Sequence, residues 1–410
     1  MEVIILCCAG LDVHKNGVEA CMRRMNRDGK LHQETRHWGT MTRELMAMAD
    51  WLSEAGVTHV AMESTGVFWK PIFNILENRF QVLLVNARSL KHVPGRKTDQ
   101  KDSQWIAQLL QHGLLKGSFI PPREQRELRD LTRHRSQVIG EHSRITNRIQ
   151  KVLEDANIKL SSVATDITGA SGRQMLQAII AGEDNPEKLA DLAKHSLRSK
   201  IPQLQQALYG KITDHHRWLL RLLYDQLTSA EAFLSKLDER IEQLTRPQQP
   251  LVEKLDRIPG IDRRVAEVVL AEVGPDMTPF PDAPHLTSWA GICPGNNESA
   301  GKRKSGKTTK GSRWLRQALV QAAWAASHKK DSYFRTHAHN LIRRRGKKRG
   351  LVAVAHSLLI VIYHMLKEGT DYVDLGAKFL DQIRSEHLVR FHLHRLEELG
   401  LKVTAIPMAA

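Results

Sequence analysis

Three short apolar runs, separated by helical patterns, constrain the fold of the first third of the chain most strongly. The runs are VIILCCA at residues 3–9, THVAMES at 58–64 and QVLLVNA at 81–87, and each has the length and continuity of a buried strand. The segments between them, 42–56 and 68–80, space their apolar residues as helices do. Strands that alternate with helices predict an α/β domain over residues 1–122, with an extended pattern resuming after the first run.

The middle of the chain has a different, helical pattern. Residues 123–153 are rich in Arg and His, and from Leu219 to Leu244 apolar residues recur in steps of three and four. Their average spacing of about 3.5 is the period of a coiled coil, so we predict a helical coiled-coil connector over residues 123–250. Two interpretations stay open: an extended arm that contacts a second copy, which the abrupt end at TRPQQP favours, and a long helix packed on its own domain.

The remainder, residues 251–410, is predicted to be a mostly α domain. It opens with a tight Pro259-Gly260 turn that leads into an amphipathic helix, as in a helix-hairpin-helix element. Such a turn can direct backbone N–H groups at a phosphate. The usual second glycine is Asp262 here. Contact with DNA and a plain helix-packing role are therefore equally favoured.

The charge of the chain is concentrated in one window. Lys and Arg total 61 against 45 Asp and Glu, a net charge of +16, and residues 286–350 contain sixteen Lys or Arg and only two acids. A solvated face is the ordinary explanation of a short basic run, but a block this long favours a phosphate-binding surface, for nucleic acid before membrane. The predicted contacts are Lys302, Arg303, Lys304, Lys307, Lys310, Arg313, Arg316, Arg343, Arg344, Arg345, Lys347, Lys348 and Arg349.

Several classes of protein are disfavoured by what the sequence lacks. Its four cysteines form no CxxC pair and no Cys/His zinc spacing, so we expect reduced thiols and a cytoplasmic protein. The N-terminal residues have no basic segment of the kind that begins a signal peptide. The longest apolar stretch, residues 351–363, is too short to span a bilayer and contains His356 and Ser357, so no membrane partner is predicted.

Four acids stand where a metal-dependent nuclease of the α/β class would place them. Asp12 follows the first apolar run, Glu63 closes the second, and Asp99 and Asp102 share one face of a helix's first turn. Each alone has an ordinary alternative, as a turn residue, a surface acid or a complement to the helix dipole. Together they suit Mg²⁺ (or Mn²⁺), which prefers hard oxygen ligands. A metal-dependent phosphoryl-transfer site needs several carboxylates to hold such ions.

The segments GLDVHK, AMESTGVFW and KTDQKDS, in this order, resemble the Asp-Glu-Asp-Asp (DEDD) transposases of bacterial insertion-sequence family one hundred and ten, with its eleven-eleven branch. The run from RIPGIDRRVAEVVLAEVG to SRWLRQALVQAAW resembles the second domain of that family. The resemblance implies a RuvC-like (RNase H-like) N-terminal domain and a C-terminal transposase domain. It assigns the four acids to Asp12, Glu63, Asp99 and Asp102, and it implies a recombinase guided by a structured bridge RNA.

The resemblance also implies a serine nucleophile in an acid-Ser-Gly context. In this sequence the context is NESAG, which points to Ser299 with Ala300 in place of the usual glycine, while Ser305, Ser288 and Ser312 are weaker candidates. A loop serine by itself is usually a surface hydroxyl, and it becomes a nucleophile only when a base or metal activates it.

The expected function is that of an insertion-sequence transposase that cleaves and exchanges DNA strands through a serine-linked intermediate. Its expected partners are donor and target DNA, the bridge RNA and further copies of itself, as a dimer from the helical stripe or a tetramer from the resemblance, acting at the bacterial nucleoid. The alternatives are a RuvC-like nuclease or resolvase that cuts branched DNA by water attack, and a nucleic-acid-binding scaffold whose acids are structural.

Overall fold

The chain divides into two compact units, Met1–Ile120 and Pro121–Ala410. The structure is a computed structural model and describes residues 2–26, 28–64, 66–86, 101–295, 297–299, 302–383 and 385–401. Within these ranges only the backbone is described at 297–299, 302–304, 381 and 386–388. The predicted boundary between a connector and a C-terminal domain at residue 250 stays a prediction.

The first unit is built on a five-stranded mixed sheet in the order β3-β2-β1-β4-β5. The strands are β1 Cys7–Val13, β2 Val18–Met25, β3 Leu31–Trp38, β4 His59–Glu63 and β5 Gln81–Val85, and the helices are α1 Thr42–Glu54, α2 Trp69–Leu76 and α3 Asp102–Gln111. The first three strands form an antiparallel meander, β4 is parallel to β1, and β5 is parallel to β4. This mixed sheet is consistent with the expected RNase H-like α/β domain.

Two predictions about the strands need correction. The first strand begins at Cys7 rather than at residue 3, because the amides of Ile4 and Ile5 donate to the carbonyl of Gln111 at 3.0 and 3.1 Å, at the end of α3. Strand β3 was not predicted, because its sequence LHQETRHW has no apolar alternation. It lies at the edge of the sheet, where most of its side chains are solvent-accessible and apolar residues are not required.

The two faces of the sheet are covered by different helices. Leu11, Val60 and Met62 are fully buried on the face that packs against α1 and α2. Cys8 and Ala61 are fully buried on the other face, in a cluster with Trp105 and Ile106 of α3. Since side chains alternate along a strand, this assignment also determines which face the neighbouring polar residues occupy.

The second unit is mostly helical, as predicted, with one short hairpin, β6 Asn297–Ser299 and β7 Lys302–Ser305. Its α-helices within the described residues are α4 Arg123–Asp155, α5 Leu160–Val163, α6 Ala170–Ala181, α7 Pro186–Asp191, α8 Ile201–Leu208, α9 Asp214–Thr245, α10 Gln249–Asp256, α11 Arg263–Val273, α12 Ala283–Trp289, α13 Arg313–Ala326, α14 Tyr333–Arg345, α15 Lys347–Glu368, α16 Phe379–Ile383 and α17 Ser385–Glu398. Single 3₁₀ turns occur at His195–Lys200 and Arg246–Gln248.

The long helices α4 and α9 pack against each other in antiparallel directions. Their contacts run from Leu128 beside Ile241 at one end to Ile149 beside Leu223 at the other. The residues of the predicted coiled-coil stripe are buried or partly buried within the chain itself, which favours the interpretation of a long helix packed on its own domain. The stripe does not by itself require a second copy, and the oligomeric state stays a prediction.

The Pro259-Gly260 turn packs closely against α13. Gly260 has φ +84°, and a Cβ added there would lie 2.2 Å from the carbonyl oxygen of Ala322. The next helix, α11, is capped by Asp262, whose side chain accepts from the amide of Val265 at 2.8 Å. Glycine is therefore needed here for helix contact, which supports the packing alternative for this element.

Helix α15 is the one helix in the described part of the chain that is long and apolar enough to cross a membrane, by length and mean hydropathy (1.6) alone. Half of its most apolar window is buried inside the protein. Its fully buried residues, among them Val354, Leu358 and Ile362, pack within the second unit. A core helix of a globular domain meets the same criteria.

Candidate active site and nucleic-acid interface

Asp12 and Glu63 occupy neighbouring positions at the ends of two parallel strands. Leu11 of β1 is paired with Met62 of β4, so Asp12 and Glu63 are the next residues along each strand. Asp12 is an even number of residues from Cys8 on β1, and Glu63 is an even number from Ala61 on β4. Both acids are therefore on the sheet face that α3 covers. The Asp12 side chain is 22% exposed, and Glu63 is half-buried. The sheet therefore brings two of the predicted carboxylates together.

Helix α3 lies on this face of the sheet, and a third predicted carboxylate, Asp102, stands at its start. The helix begins at Asp102, which is exposed in the first turn. It passes so close to β1 that a Cβ on Gly10 would lie 2.3 Å from both the carbonyl oxygen of Ser103 and the amide nitrogen of Ala107. Gly10 is two residues before Asp12 on the same face, so the glycine lets the start of α3 approach the strand end. Asp99, the fourth predicted acid, lies outside the described residues.

The predicted nucleophile lies in the hairpin of the second unit. Ser299 is the last residue of β6 and is paired with Lys302 of β7, with an irregularity in the pairing at Asn297 and Glu298. The backbone positions of Lys302, Arg303 and Lys304 belong to the same hairpin. The serine and three predicted cations therefore lie within six consecutive residues of one hairpin.

Two of the competing serines have structural hydrogen bonds. Ser312 caps α13 by accepting from the amide of Leu315 at 3.3 Å, and its hydroxyl donates to Glu272 at 3.0 Å. Ser305 accepts from the amide of Lys307 at 3.1 Å, which closes a local turn. Ser288 is exposed on α12. The capping role of Ser312 accounts for that residue without chemistry.

The predicted basic contacts differ in how available they are. Lys307 and Lys310 are exposed, and Arg313 lies over the ring of Trp314 at 4.2 Å. Arg316 is turned inward, donating to the Thr308 hydroxyl at 2.8 Å, so it holds the segment after the hairpin. The side chains of Lys302, Arg303 and Lys304 lie outside the described part of the chain. The other six are exposed at the end of α14 and the start of α15: Arg343, Arg344, Arg345, Lys347, Lys348 and Arg349.

Two family models match separate stretches of the chain. A model for the DEDD transposases of IS110, described as "Transposase", matches residues 9–158, and one described as "Transposase IS116/IS110/IS902 family" matches residues 252–339. Together they span more than half of the chain. The chain carries both domains of an IS110-family transposase. It is a DNA transposase or recombinase, as predicted.

Individual relatives agree with the family. The IS110 insertion-element protein of 43.6 kDa from Streptomyces coelicolor is 28% identical over 68% of this chain and 73% of its own length. A candidate transposase of Sinorhizobium fredii, y4pF/y4sB, is 22% identical over 79% of this chain and 77% of its own. The pilin gene-inverting protein of Moraxella bovis is 26% identical over 46% of this chain and 60% of its own.

The DEDD domain of this IS110-family transposase is of a metal-dependent nuclease type, which indicates a divalent metal. Among residues 2–86 and 101–401, as far as they are described, no group of three or more His, Cys, Asp or Glu side chains is gathered closely enough to hold one. The predicted ligands near the start of α3, Asp12, Glu63 and Asp102, are all carboxylates. Hard oxygen donors of this kind fit Mg²⁺ or Mn²⁺ and not zinc, which prefers nitrogen and sulfur ligands.

Two side chains beside the transposase acids were not predicted. His14 Nε2 lies 3.1 Å from Asp12 Oδ2. Glu19 is paired with Asp12 across β1 and β2, and it accepts from Lys101 Nζ and from the Ser103 hydroxyl, each at 2.7 Å. Burial raises the pKa of Glu19, but the bonds from Lys101 and Ser103 outweigh that effect and hold it below its ordinary value.

Glu19 thereby ties the start of α3 to the strand next to Asp12. Ser103 is fully buried and follows Asp102 directly, so its bond to Glu19 fixes the first turn of the helix. The signal for this pair was the Asn16-Gly17 dipeptide, which marks a hairpin turn. The dipeptide does not give the register: the two-residue loop is Lys15-Asn16, since the His14 amide donates to the Gly17 carbonyl, and this register places Glu19 opposite Asp12.

Proposed function

We propose that this transposase cuts and rejoins DNA in a Mg²⁺- or Mn²⁺-dependent reaction that passes through a DNA strand covalently linked to Ser299. The observation that carries the metal-dependent part is the adjacency of Asp12 and Glu63 on the sheet face beneath the start of α3. The serine part rests on the family resemblance and on the position of Ser299 in a basic hairpin.

In this proposal, Asp12, Glu63, Asp99 and Asp102 hold the metal. When bound, a divalent ion supplies charge stabilisation at the scissile phosphate and makes a hydroxyl near it more acidic. Glu19, through Lys101 and Ser103, keeps the first turn of α3 in position. Asp102 is then already ordered before the reaction, and little conformational entropy is lost when it binds the metal.

The chemical step exchanges one phosphate ester for another. The Ser299 Oγ forms a bond to phosphorus as its proton leaves, a P–O bond of the DNA strand breaks, and the released DNA oxygen gains a proton. The hydroxyl of a second strand then attacks the phosphoserine, which regenerates the serine and joins the strands. The proposal requires Ser299 and the acids to meet at one phosphate, within a chain or between two copies of it.

In this scheme the exposed cations bind the phosphate backbones of the nucleic acids. Lys307, Lys310 and the six residues from Arg343 to Arg349 would neutralise donor and target DNA or the guide RNA. Lys302, Arg303 and Lys304 would do so beside the serine. The coordination of two DNA partners favours a dimer or tetramer, which light scattering of the protein with and without DNA would test.

A covalent-adduct assay tests the serine step. Labelled donor DNA and the protein are incubated with Mg²⁺, denatured and separated on a gel. We expect a labelled protein band for the wild type and for Ser305→Ala, the matched control, and none for Ser299→Ala. An adduct that persists in Ser299→Ala contradicts the assignment. Cleavage without any adduct in the wild type would instead support the nuclease alternative that uses water.

The metal site is tested separately, by direct binding. Isothermal titration with Mn²⁺ should show binding to the wild type and to Glu54→Gln, an exposed acid at the end of α1, and about tenfold or greater weakening in Asp12→Asn and Asp102→Asn. Unchanged Mn²⁺ affinity in Asp12→Asn would remove this residue from the ligand set.

The guide RNA is tested by sequencing the nucleic acid that copurifies with the protein. A discrete structured RNA is expected, and its release by high salt should follow the loss of phosphate contacts. Heterogeneous fragments of cellular RNA and DNA would show that the protein carries no dedicated guide.

A further inference from the structure

A cavity of about 350 Å³ lies among α13, α14 and α15 in the second unit. Trp324 and His328 line it from the end of α13 and the turn that follows, and Lys330 lines it from the same turn. Arg335 and His339 are one helical turn apart on α14, and Lys347 lines it from the start of α15. Three segments of the second unit thus line one cavity, and the hairpin that carries Ser299 is not among them.

Among the residues that the structure describes, no carboxylate pairs with the cations of this cavity. Lys330, Arg335 and Lys347 form no ion pair with any carboxylate in the described parts of the chain, and none of the described residues that line the cavity is acidic. Asp331, next to Lys330 in sequence, is not among the lining residues. Three converging positive charges without a partner favour a bound anion, since like charges held together repel one another.

The cavity also has an aromatic wall. The Trp324 side chain is 51% exposed, unusual for a residue with so much apolar surface, and its ring centroid lies 4.6 Å from that of His328 with the planes inclined at 49°. The histidine supports the indole ring, which leaves ring surface open to the cavity. An exposed, supported aromatic ring beside cations is the combination on which unpaired nucleobases stack while their phosphates are neutralised.

We propose that this cavity binds an unpaired nucleotide of a nucleic-acid strand, with its base against Trp324 and its flanking phosphates at Lys330, Arg335 and Lys347. A duplex cannot use the aromatic wall, because its bases are already stacked on one another. The cavity therefore distinguishes single-stranded from double-stranded segments. This role goes beyond the proposed strand exchange and does not depend on Ser299 or on the metal-binding acids.

Binding without metal tests the aromatic wall. Fluorescence anisotropy with short labelled single strands of DNA and of RNA, and with a blunt duplex of the same length, is measured in EDTA so that no cleavage occurs. Trp324→Leu should weaken single-strand binding about tenfold and leave duplex binding unchanged. Trp218→Leu, at a tryptophan that is 60% exposed on α9, is the matched control and should bind as the wild type does.

Two further measurements distinguish the loss of the aromatic ring from a folding defect. Trp324→Phe, which keeps an aromatic ring, should recover part of the lost affinity. Strand binding should also quench tryptophan fluorescence in the wild type and in Trp218→Leu, and should quench it less in Trp324→Leu. A larger effect on RNA than on DNA would identify the guide as the source of the unpaired nucleotide, and the reverse would identify an opened DNA strand.

The phosphate contacts are tested by salt dependence. The triple variant Lys330→Gln, Arg335→Gln, Lys347→Gln should reduce the slope of log Kd against log salt by about 2 for single strands, because each phosphate contact contributes about 0.7. Lys236→Gln, at an exposed lysine on α9, is the control for charge. The proposal is overturned if Trp324→Leu binds single strands as Trp218→Leu does, or if single-strand and duplex binding weaken equally.

Discussion

The second unit holds two cavities of similar size with cationic walls, about 310 Å³ among α4, α11 and α13 and about 350 Å³ among α13, α14 and α15. In the first, the arginines have carboxylate partners from the fold. Arg135 and Arg264 both pair with Asp238, at 2.5 and 3.0 Å, and Arg264 also pairs with Glu267. In the second, Lys330, Arg335 and Lys347 have no such partner among the described residues.

Glu272 beside the first cavity shows how completely the fold uses these charges. It is fully buried on α11, where it accepts two bonds from Arg133 of α4 at 2.7 and 2.9 Å and one from Ser312 of α13 at 3.0 Å. Burial lowers the pKa of the neighbouring Arg129, although Glu272 opposes that shift. One carboxylate thereby links three helices.

The difference teaches that basic residues in this protein have two separable roles. Where a carboxylate is in place, the arginine is part of the folded structure and its positive charge is already balanced. Where none is in place, the charge remains for a ligand. Counts of Lys and Arg in the sequence cannot distinguish the two, because a count does not say which carboxylates pack beside each residue.

The largest expected effect comes from removing the buried carboxylate. Glu272→Gln should lower the free energy of unfolding by about 3–5 kcal/mol, because the Arg133 guanidinium loses the charge of its buried partner. Urea denaturation followed by circular dichroism measures the loss. Glu239→Gln, an exposed acid on α9, is the control, and an equal small loss in both variants would show that the buried pair does not stabilise the unit.

A smaller effect is expected at Asp238, which is partly exposed. Asp238→Asn should lower the free energy of unfolding by about 1–2 kcal/mol, because it weakens the bonds to Arg135 and Arg264 together. Adding Arg135→Gln should cost less than the sum of the two single changes, since they share one interaction. Additive losses in this double-mutant cycle would show that the two residues are not coupled.

Acid should destabilise the paired regions through carboxylates such as Glu231. Hydrogen bonding from Arg173 lowers the pKa of Glu231, although partial burial acts in the opposite direction. His142 also lowers it. Stability from this group is present above the unfolded pKa of about 4.3 and is lost as pH falls through the lower folded value. Glu231→Gln should therefore flatten the fall in melting temperature below about pH 5. An unchanged acid profile contradicts this role.

The smallest effect is expected in the unpaired cavity. Arg335→Gln should change the free energy of unfolding by no more than about 0.5 kcal/mol in urea denaturation, because no internal partner is lost. In the absence of nucleic acid, the variant should gain rather than lose stability at low salt, as one of three mutually repelling charges is removed. A loss comparable to that of Asp238→Asn would show that Arg335 has a structural partner after all.

Local pattern was sufficient for several features of this transposase. Apolar runs and helical spacing predicted the α/β class of the first unit and the helical character of the second, because both patterns arise from residues close in sequence. The same reasoning placed Asp12 and Glu63 at strand ends, where the structure has them. It did not predict β3, since a polar edge strand has no apolar alternation, and it left the choice between a free helical stripe and a packed one open.

By itself, the sequence determined which residue types this protein has available for chemistry: carboxylates after apolar strands, a basic window and a serine within it. Only the tertiary structure decided which of these side chains lie next to one another. The pairing of β1 with β2 set Glu19 opposite Asp12, and helix packing buried Glu272 among arginines. The same packing left Lys330, Arg335 and Lys347 without a carboxylate partner in the described part of the chain. Charge balance depends on distances between residues remote in sequence, and those distances exist only once the helices have packed.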